Sequence, residues 1–453
     1  MRRSEDPRSR GPRVRRSRSA AITGFAAIAL LALSASCSRA YVEAPVGGVP
    51  TGETRELSAV YLIGDFGKPS EPFRALVAAI SADAAVLDDQ SPRSAPMILE
   101  LGDNLYEDGL PHDLDLPGAQ DEVDKLRALA VAFADVRYAG AQVPLVLIPG
   151  NHDYSNNALA RKGNLGDISR WYFLDELGVV GAPAWTHVPG DPRRFANAAE
   201  LFDHLDGDPA AHAEFMAPVR VPHTDEDIFM VAIDSELILD LYAEGHEELA
   251  AAYWRELDRV LAATPDGAWL MVAAHHPPVT YGKHGEQSFG NWVFGQGYPQ
   301  FPHAWQKALA VSLPLGIVLG IVVNPAAVAI AAIPPLATVF TSGRKQDVGS
   351  ETYDRYAAGL LDHAARHEVD VLVAGHDHNT QIIELAEIAG FTGDTLLVVT
   401  GAGAKVDPVR RGRGTVAYLS DYSWVRMAQY ARGLSFEIID RSGDTRYRYD
   451  VSR

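Results

Sequence analysis

The chain has 453 residues, 47% of them hydrophobic and 22% charged, with a formal charge of −19. That composition describes a folded globular protein of one large or two ordinary domains and excludes disordered or collagen-like chains. Residues 1–36 carry eight Arg against Glu5 and Asp6, so the remainder has a charge of −25; a body this acidic is ill suited to bind nucleic acid through its surface.

The N-terminus has the form of an export signal. Arg-rich residues 2–18 precede an apolar stretch from Ala20 to Leu33, followed by Ser34, Ala35 and Ser36. The stretch is shorter than the about 20 residues a membrane-spanning helix needs. Cys37, the only cysteine, comes next. This placement resembles a bacterial lipobox, although Ser34 stands where Leu is usual. The expectation for residues 1–36 is a lipoprotein-type signal, with the protein anchored to the membrane through lipidated Cys37. Secretion after cleavage at Ala40 and an uncleaved anchor are the alternatives. With no second cysteine, the body has no internal disulfide. Residues 37–56, holding Pro45, Pro50 and three glycines, read as a tether.

From Ser58 onward, short apolar runs alternate with longer amphipathic stretches. Strands are predicted over 59–63, 97–101, 144–148, 229–233, 269–273, 369–373 and 395–399. Helical periodicity marks 71–87, 121–138, 246–263 and 351–367. The alternation argues for an α/β domain over 57–452. The stretch 415–449, rich in Tyr, Trp, Arg and Thr with glycine breaks, suggests closing antiparallel strands. One insertion, at about 286–350, departs from the pattern: residues 308–342 carry no charge and are split by Asn324-Pro325. Two readings stand, a buried helical pair, or a hydrophobic hairpin that dips into the membrane or shapes an apolar substrate entrance.

Five blocks follow predicted strands in order: Gly64-Asp65-Phe66-Gly67, Gly102-Asp103-Asn104-Leu105-Tyr106, Gly150-Asn151-His152-Asp153, Val272-Ala273-Ala274-His275 and Gly375-His376-Asp377-His378. Open α/β sheets place ligand sites beyond the carboxyl ends of strands. The carboxylate, phenol, amide and imidazole donors can hold two metal ions side by side, an arrangement suited to hydrolysing phosphate esters. Bound metal would also provide the local positive charge that an anionic substrate requires here.

The blocks resemble those of the calcineurin-like metallophosphoesterases, and within them the purple acid phosphatases, whose pattern is GDxG, GDxxY, GNH(D/E), VxxH and GHxH. The resemblance runs from about Ala59 to Lys405. VAAHHPPVTYGKHG (272–285) and GHDHNTQ (375–381) are most similar to the small tartrate-resistant branch. Most of the superfamily has Asp-x-His in the first block; here Gly67 replaces that histidine, and Tyr106 follows Asp103 by three residues. The exchange favours the purple acid phosphatases, in which a tyrosinate, a hard anionic donor, binds Fe(III).

The resemblance implies a four-layer α/β/β/α sandwich with two central mixed sheets. It implies one metal held by Asp65, Asp103, Tyr106 and His378, and another by Asp103, Asn151, His275 and His376, with Asp103 bridging. Fe(III) is expected in the Tyr106 site and Fe, Zn or Mn in the other. A small phosphomonoester would be hydrolysed by metal-bound hydroxide, with His152 and His284 contacting the phosphate or protonating the leaving oxygen. Asp153 would orient the neighbouring histidine or loop, or be a turn residue, and His276 would support the ligands or face the substrate. In an extended Gly-His-Asp-His run, His376 and His378 would share one side and Asp377 would point away. The alternatives are a phosphodiesterase, nucleotidase or phospholipid-directed phosphatase with the same site. A cell-surface binding lipoprotein with a vestigial metal site is a further alternative.

Overall fold

In a computed structural model, the residues described are 56–452 without 91, 108, 111–113, 116, 156–157, 160–163, 180–184, 286–345 and 389–390. The export signal, Cys37, nearly all of the tether and the uncharged segment 308–342 lie outside them.

Among the described residues, sixteen strands form two seven-stranded sheets and one short hairpin. The strands of the first sheet are β1 (Ser58–Ile63), β2 (Met97–Glu100), β5 (Leu145–Leu147), β6 (Trp185–His187), β14 (Ser423–Tyr430), β15 (Gly433–Asp440) and β16 (Thr445–Ser452), in the order 16-15-14-1-2-5-6. Strands β1, β2, β5 and β6 run parallel, while β14 to β16 form an antiparallel meander beside β1. The second sheet contains β7 (Val219–Arg220), β8 (Ile228–Ala232), β9 (Trp269–Ala274), β10 (Val371–Ala374), β11 (Thr380–Glu384), β12 (Leu396–Thr400) and β13 (Thr415–Leu419), in the order 13-11-12-10-9-8-7. Here β8, β9, β10 and β12 are parallel and the outer strands antiparallel.

The period-2 alternation of the strands builds the layers. Val60, Leu62 and Leu99 share a buried cluster with Met230, Met271 and Val373, so these faces of the two sheets meet. The alternate residues Tyr61, Ile63 and Ile98 pack with Phe73, Leu76 and Phe133 of helices α1 (Glu71–Gln90) and α2 (Ala119–Ala134). On the second sheet, Val231, Leu270 and Leu372 belong to the cluster holding Leu237, Leu257 and Leu360. Those three come from α6 (Ser235–Ala243), α7 (Glu247–Leu261) and α8 (Glu351–Arg366). The architecture is the expected α/β/β/α sandwich. Both faces of the central parallel strands are buried, which is why those strands read as continuous apolar runs.

Two sequence expectations are revised. The helix expected over 121–138 stops at Ala134, because Ala139 and Gly140 take left-handed φ of 49° and 77° and turn the chain into the hairpin of β3 (Arg137–Tyr138) and β4 (Ala141–Gln142). Between β5 and β8 the structure adds α3 (Asn164–Trp171), α4 (Ala198–Leu205) and α5 (Pro209–Phe215), each too short to show a periodic signal.

Register brings the blocks level. Ile63 pairs with Glu100, and Glu100 with Leu147, so the loops carrying Asp65, Asp103 and Asn151 leave the first sheet side by side. Ala274 pairs with Ala374, which does the same for His275 and His376 in the second sheet. Backbone hydrogen bonds stitch these ends together: Gly64 N donates to the Thr400 carbonyl at 2.7 Å, and Gly403 N to the Gly64 carbonyl at 3.1 Å.

Candidate metal centre

Each loop turns sharply after its strand. Asp65, Asp103 and His376 take left-handed φ of 58°, 62° and 67°, a region costly for a residue with a β-carbon and typical of strained functional positions. Glycines make the turns fit. At Gly102, with φ 95°, a β-carbon would stand 2.4 Å from His275 Nδ1; at Gly150 it would stand 2.3 Å from Asp103 N. The left-handed His376 also corrects the expectation of an extended Gly-His-Asp-His run. The run is bent, yet both histidines still reach the cluster.

On one side, Tyr106 Oη donates to Asp65 Oδ1 at 2.8 Å and lies 3.2 Å from His378 Nε2, which is 3.6 Å from Asp65 Oδ1. On the other, Asn151 Oδ1 lies 3.1 Å from both His275 Nε2 and His376 Nδ1, and His275 Nε2 is 3.4 Å from Asp103 Oδ1. The seven expected ligands thus gather in two groups with Asp103 at the junction, and all are buried or nearly so.

The donor chemistry fits cations. His275 Nδ1 donates to the Leu101 carbonyl at 2.7 Å, and His376 Nε2 to the Gln346 carbonyl at 3.0 Å. His378 Nδ1 is 2.6 Å from Asp407 Oδ2. One ring nitrogen of each histidine is therefore held by a carbonyl or carboxylate, and the other faces the cluster. Burial, with His284 and His276 nearby, pushes His376 well below the ordinary imidazole value, and burial also lowers His275. The shift favours the neutral ring, the form that binds metal. Lone pairs facing oxygen acceptors at 3.1–3.4 Å repel unless a cation lies among them. The carboxylates tell the same story: burial and the neighbouring Asp103 push Asp65 well above the usual range, while His275 and His152 hold Asp103 down, against its burial, at about 2. Burial, Asp103 and Asp65 push the Tyr106 phenol up, so a tyrosinate here requires strong positive charge at its oxygen.

The expected acid–base residues sit at the rim. His152 N donates to Asp103 Oδ1 at 2.9 Å, its Nδ1 meets the Glu107 carbonyl, and its ring lies 4.7 Å from that of Tyr106. The His284 ring lies 4.1 Å from that of His376, tilted by 36°, and pairs through Nδ1 with Asp347 Oδ1 at 2.9 Å. Burial works against its charge, but Asp347 and Asp377 hold the imidazolium above its ordinary value. His276 does not face a substrate: it is fully buried, with Nδ1 2.8 Å from Ser235 Oγ.

Asp153 proves to be a clasp between loops. It accepts hydrogen bonds from Asp103 N (3.1 Å), Asn104 N (2.9 Å), Asn104 Nδ2 (2.8 Å) and Gly150 N (2.8 Å). Asp377 points away from the cluster, as expected, taking the Thr280 hydroxyl and His284 N. Sequence reasoning missed Asp407, which orients His378, and Lys405, whose Nζ stands 3.4 Å from the centre of the Tyr106 ring. Both come from the loop after β12, which carries no recognisable motif. The clue was its unusual density of charge, Lys405-Val406-Asp407-Pro408-Val409-Arg410-Arg411-Gly412-Arg413.

No curated protein matches the sequence. Among solved structures, the chain is similar to GAP50, the anchor in the inner membrane complex of Plasmodium, at 14% identity and a TM-score of 0.46, covering 88% of this chain and 89% of that one. It is similar to the purple acid phosphatase PPD1 of yellow lupin (Lupinus luteus) seeds at 15% identity and 0.48, covering 88% and 54%. A third similar structure is PhoD, at 10% identity and 0.43, covering 89% and 70%. Residues 59–380 match the model of the family described as calcineurin-like phosphoesterase, a span that contains all seven residues expected as ligands. The chain belongs to the calcineurin-like phosphoesterases and is a metal-dependent phosphoric ester hydrolase.

Proposed function

We propose that the protein is a phosphomonoesterase of the purple acid phosphatase type, with iron on the Tyr106 side of a two-metal centre. The observation that carries this reading is the trio of Asp65, Tyr106 and His378, whose oxygens and nitrogen converge within 3.6 Å in a position where Gly67 offers no histidine. Asp65, Asp103, Tyr106 and His378 would hold one ion, and Asp103, Asn151, His275 and His376 the other. When bound, the pair would neutralise phosphoryl charge and activate water.

The chain's own residues then divide the remaining work. His152, with Nδ1 committed to the Glu107 carbonyl, has Nε2 for a phosphoryl oxygen or the departing alcohol. His284, whose imidazolium Asp347 and Asp377 favour against its burial, would give a proton to the leaving oxygen as it acquires charge. The left-handed backbones and the Asp153 clasp hold the ligands in position before substrate arrives. Export and a membrane tether at Cys37 belong to this proposal and rest on the sequence of residues 1–37. Cys37→Ser should release the protein from membranes, and retention in the membrane fraction would refute the tether.

Metal analysis with a visible spectrum of the purified protein tests the assignment. Iron, with a tyrosinate-to-iron band that disappears in Tyr106→Phe, is expected; a colourless, iron-free oxidised protein would refute it while leaving a two-metal hydrolase of other metals. A screen of mono- and diesters, with Asn151→Ala as the inactive control, tests the reaction. Faster turnover of diesters would move the reading to a phosphodiesterase.

A further inference from the structure

The end of α8 carries the run His363-Ala364-Ala365-Arg366-His367. His367 N donates to the His363 carbonyl at 3.1 Å, so the helical turn continues through His367. A spacing of four sets both imidazoles over one face, the placement by which a helix offers two histidines to a metal ion. Asp258 of α7 meets them there. Its Oδ1 lies 2.7 Å from His363 Nδ1 and 2.8 Å from His367 Nε2, and donor atoms of the three residues all lie within 4.8 Å of one another. The group shares no residue with the Tyr106 centre.

The hydrogen bonds of this group conflict. Arg366 Nη1 donates to Asp258 Oδ1 at 3.1 Å, and Arg366 Nη2 stands 2.7 Å from His363 Nδ1. A ring nitrogen presents either a proton or a lone pair. With the proton, His363 Nδ1 serves Asp258 and confronts the guanidinium N–H. Without it, Nδ1 accepts from Arg366 and turns a lone pair on the carboxylate. One cation that takes lone pairs from all three donors removes the conflict. Two imidazoles and a carboxylate are a zinc-type set, with bonds of about 2.0–2.2 Å that space tetrahedral ligands about 3.4 Å apart. A small rotation of Asp258 opens the present contacts to that spacing. The surroundings allow the exchange. His363 is only 7% exposed and fixes one ligand, while Asp258 and His367, at 31% and 20%, leave one side open to water. Arg366 is 46% exposed and also pairs with Asp362 Oδ2 at 3.0 Å, a partner that can hold it outside.

We propose that Asp258, His363 and His367 bind a divalent transition-metal ion of the zinc type, which replaces the Arg366 guanidinium and clips α7 to α8. Tyr353 and Tyr356 of α8 donate to the Pro277 and His276 carbonyls at 2.7 and 2.6 Å. The clip therefore steadies the helix that backs the segment after His275. The inference is independent of the reading of the Tyr106 centre and stands if that reading fails.

Trp254 supplies a local reporter, because its ring stacks on His363 with centroids 4.9 Å apart and planes 18° from parallel. Ni(II), an open-shell ion, quenches an indole beside it, and Zn(II) does not. The full-length protein is titrated with Ni(II) as wild type, His367→Ala, Asp258→Asn, Arg366→Ala and Trp254→Phe. Wild type should show a saturable quench of the emission that Trp254→Phe lacks, and Zn(II) should restore it. His367→Ala and Asp258→Asn should weaken Ni(II) affinity at least about tenfold, the scale of losing even a group that only supports a ligand. Arg366→Ala should tighten it about threefold, as expected for removing one exposed ion pair that competes with the metal. Zn(II) should also raise the thermal midpoint of wild type more than that of His367→Ala. Metal at the Tyr106 centre is common to all these proteins, so the differences among them are the readout. Equal Ni(II) affinity in wild type and His367→Ala, or weaker affinity in Arg366→Ala, would overturn the site and leave a hydrogen-bonded surface network.

Discussion

Asp153 holds the two loops that carry Asp103 and Asn151, so its removal separates structural from chemical effects at the site. Its carboxylate is fully buried and satisfies three backbone N–H groups, those of Asp103, Asn104 and Gly150, together with the Asn104 amide. Asp153→Ala leaves these donors in a cavity. Each unsatisfied buried donor costs about 1–3 kcal/mol. Recovered desolvation of the carboxylate and entry of water offset part of that, so the net loss should be about 3–5 kcal/mol. Asp153→Asn retains one acceptor oxygen but turns an NH2 group toward main-chain N–H groups, so it should recover less than half of the loss. Urea unfolding of the metal-free proteins gives the stability term, and metal content per chain gives the effect on the centre. Displacing Asp103 or Asn151 by about 1 Å is enough to lower turnover about 100-fold. An Asp153→Ala protein with a wild-type unfolding midpoint and a full complement of metal would refute the clasp.

Four other perturbations have definite expected outcomes. Gly150→Ala puts a β-carbon 2.4 Å from Asp103 Oδ1, and should abolish metal binding in elemental analysis while the far-UV spectrum remains that of a folded protein. Asp407→Ala frees the His378 ring from its 2.6 Å partner and should weaken metal affinity about 10- to 100-fold in chelator competition. Arg426 is buried between Glu56, Asp83 and Glu437; Arg426→Ala leaves Glu56 buried without its cation and should cost about 3–5 kcal/mol. Burial already raises the Glu56 pKa, so a proton is bound more readily by the folded state, and the loss should be larger at pH 8 than at pH 5. Asp258 accepts from His367 and His363 and pairs with Arg366, which together outweigh its desolvation and lower its carboxyl to about 2. A depressed carboxylate contributes stability above its unfolded value of about 4. Asp258→Asn should therefore be about 1 kcal/mol less stable than wild type at pH 6, with the difference vanishing as pH falls toward 2.

The α/β class, the principal strands and the family were legible in the amino-acid order, and the seven residues expected as metal ligands lie together in one buried cluster. Buried parallel strands must be continuous apolar runs, and tight turns after them must be marked by glycine, so Gly64, Gly102, Gly150 and Gly375 point to the loops that matter. The identity of Tyr106 and the glycine at 67 depend on no distance at all. Tertiary structure decided what joins across the two sheets. No periodicity could reveal that Asp153 would bind three backbone amides, that Asp407, twenty-nine residues beyond His378, would set its ring proton, or that Lys125 and Lys405 would both reach Tyr106. These contacts come from loops, whose paths follow from the packing of the sheets beneath them and not from local preference. The bend at His376 has the same origin. An isolated Gly-His-Asp-His segment has every reason to be extended, and only the pull of Asn151, the Gln346 carbonyl and the Asp65 carboxylate holds it in the left-handed turn that completes the centre.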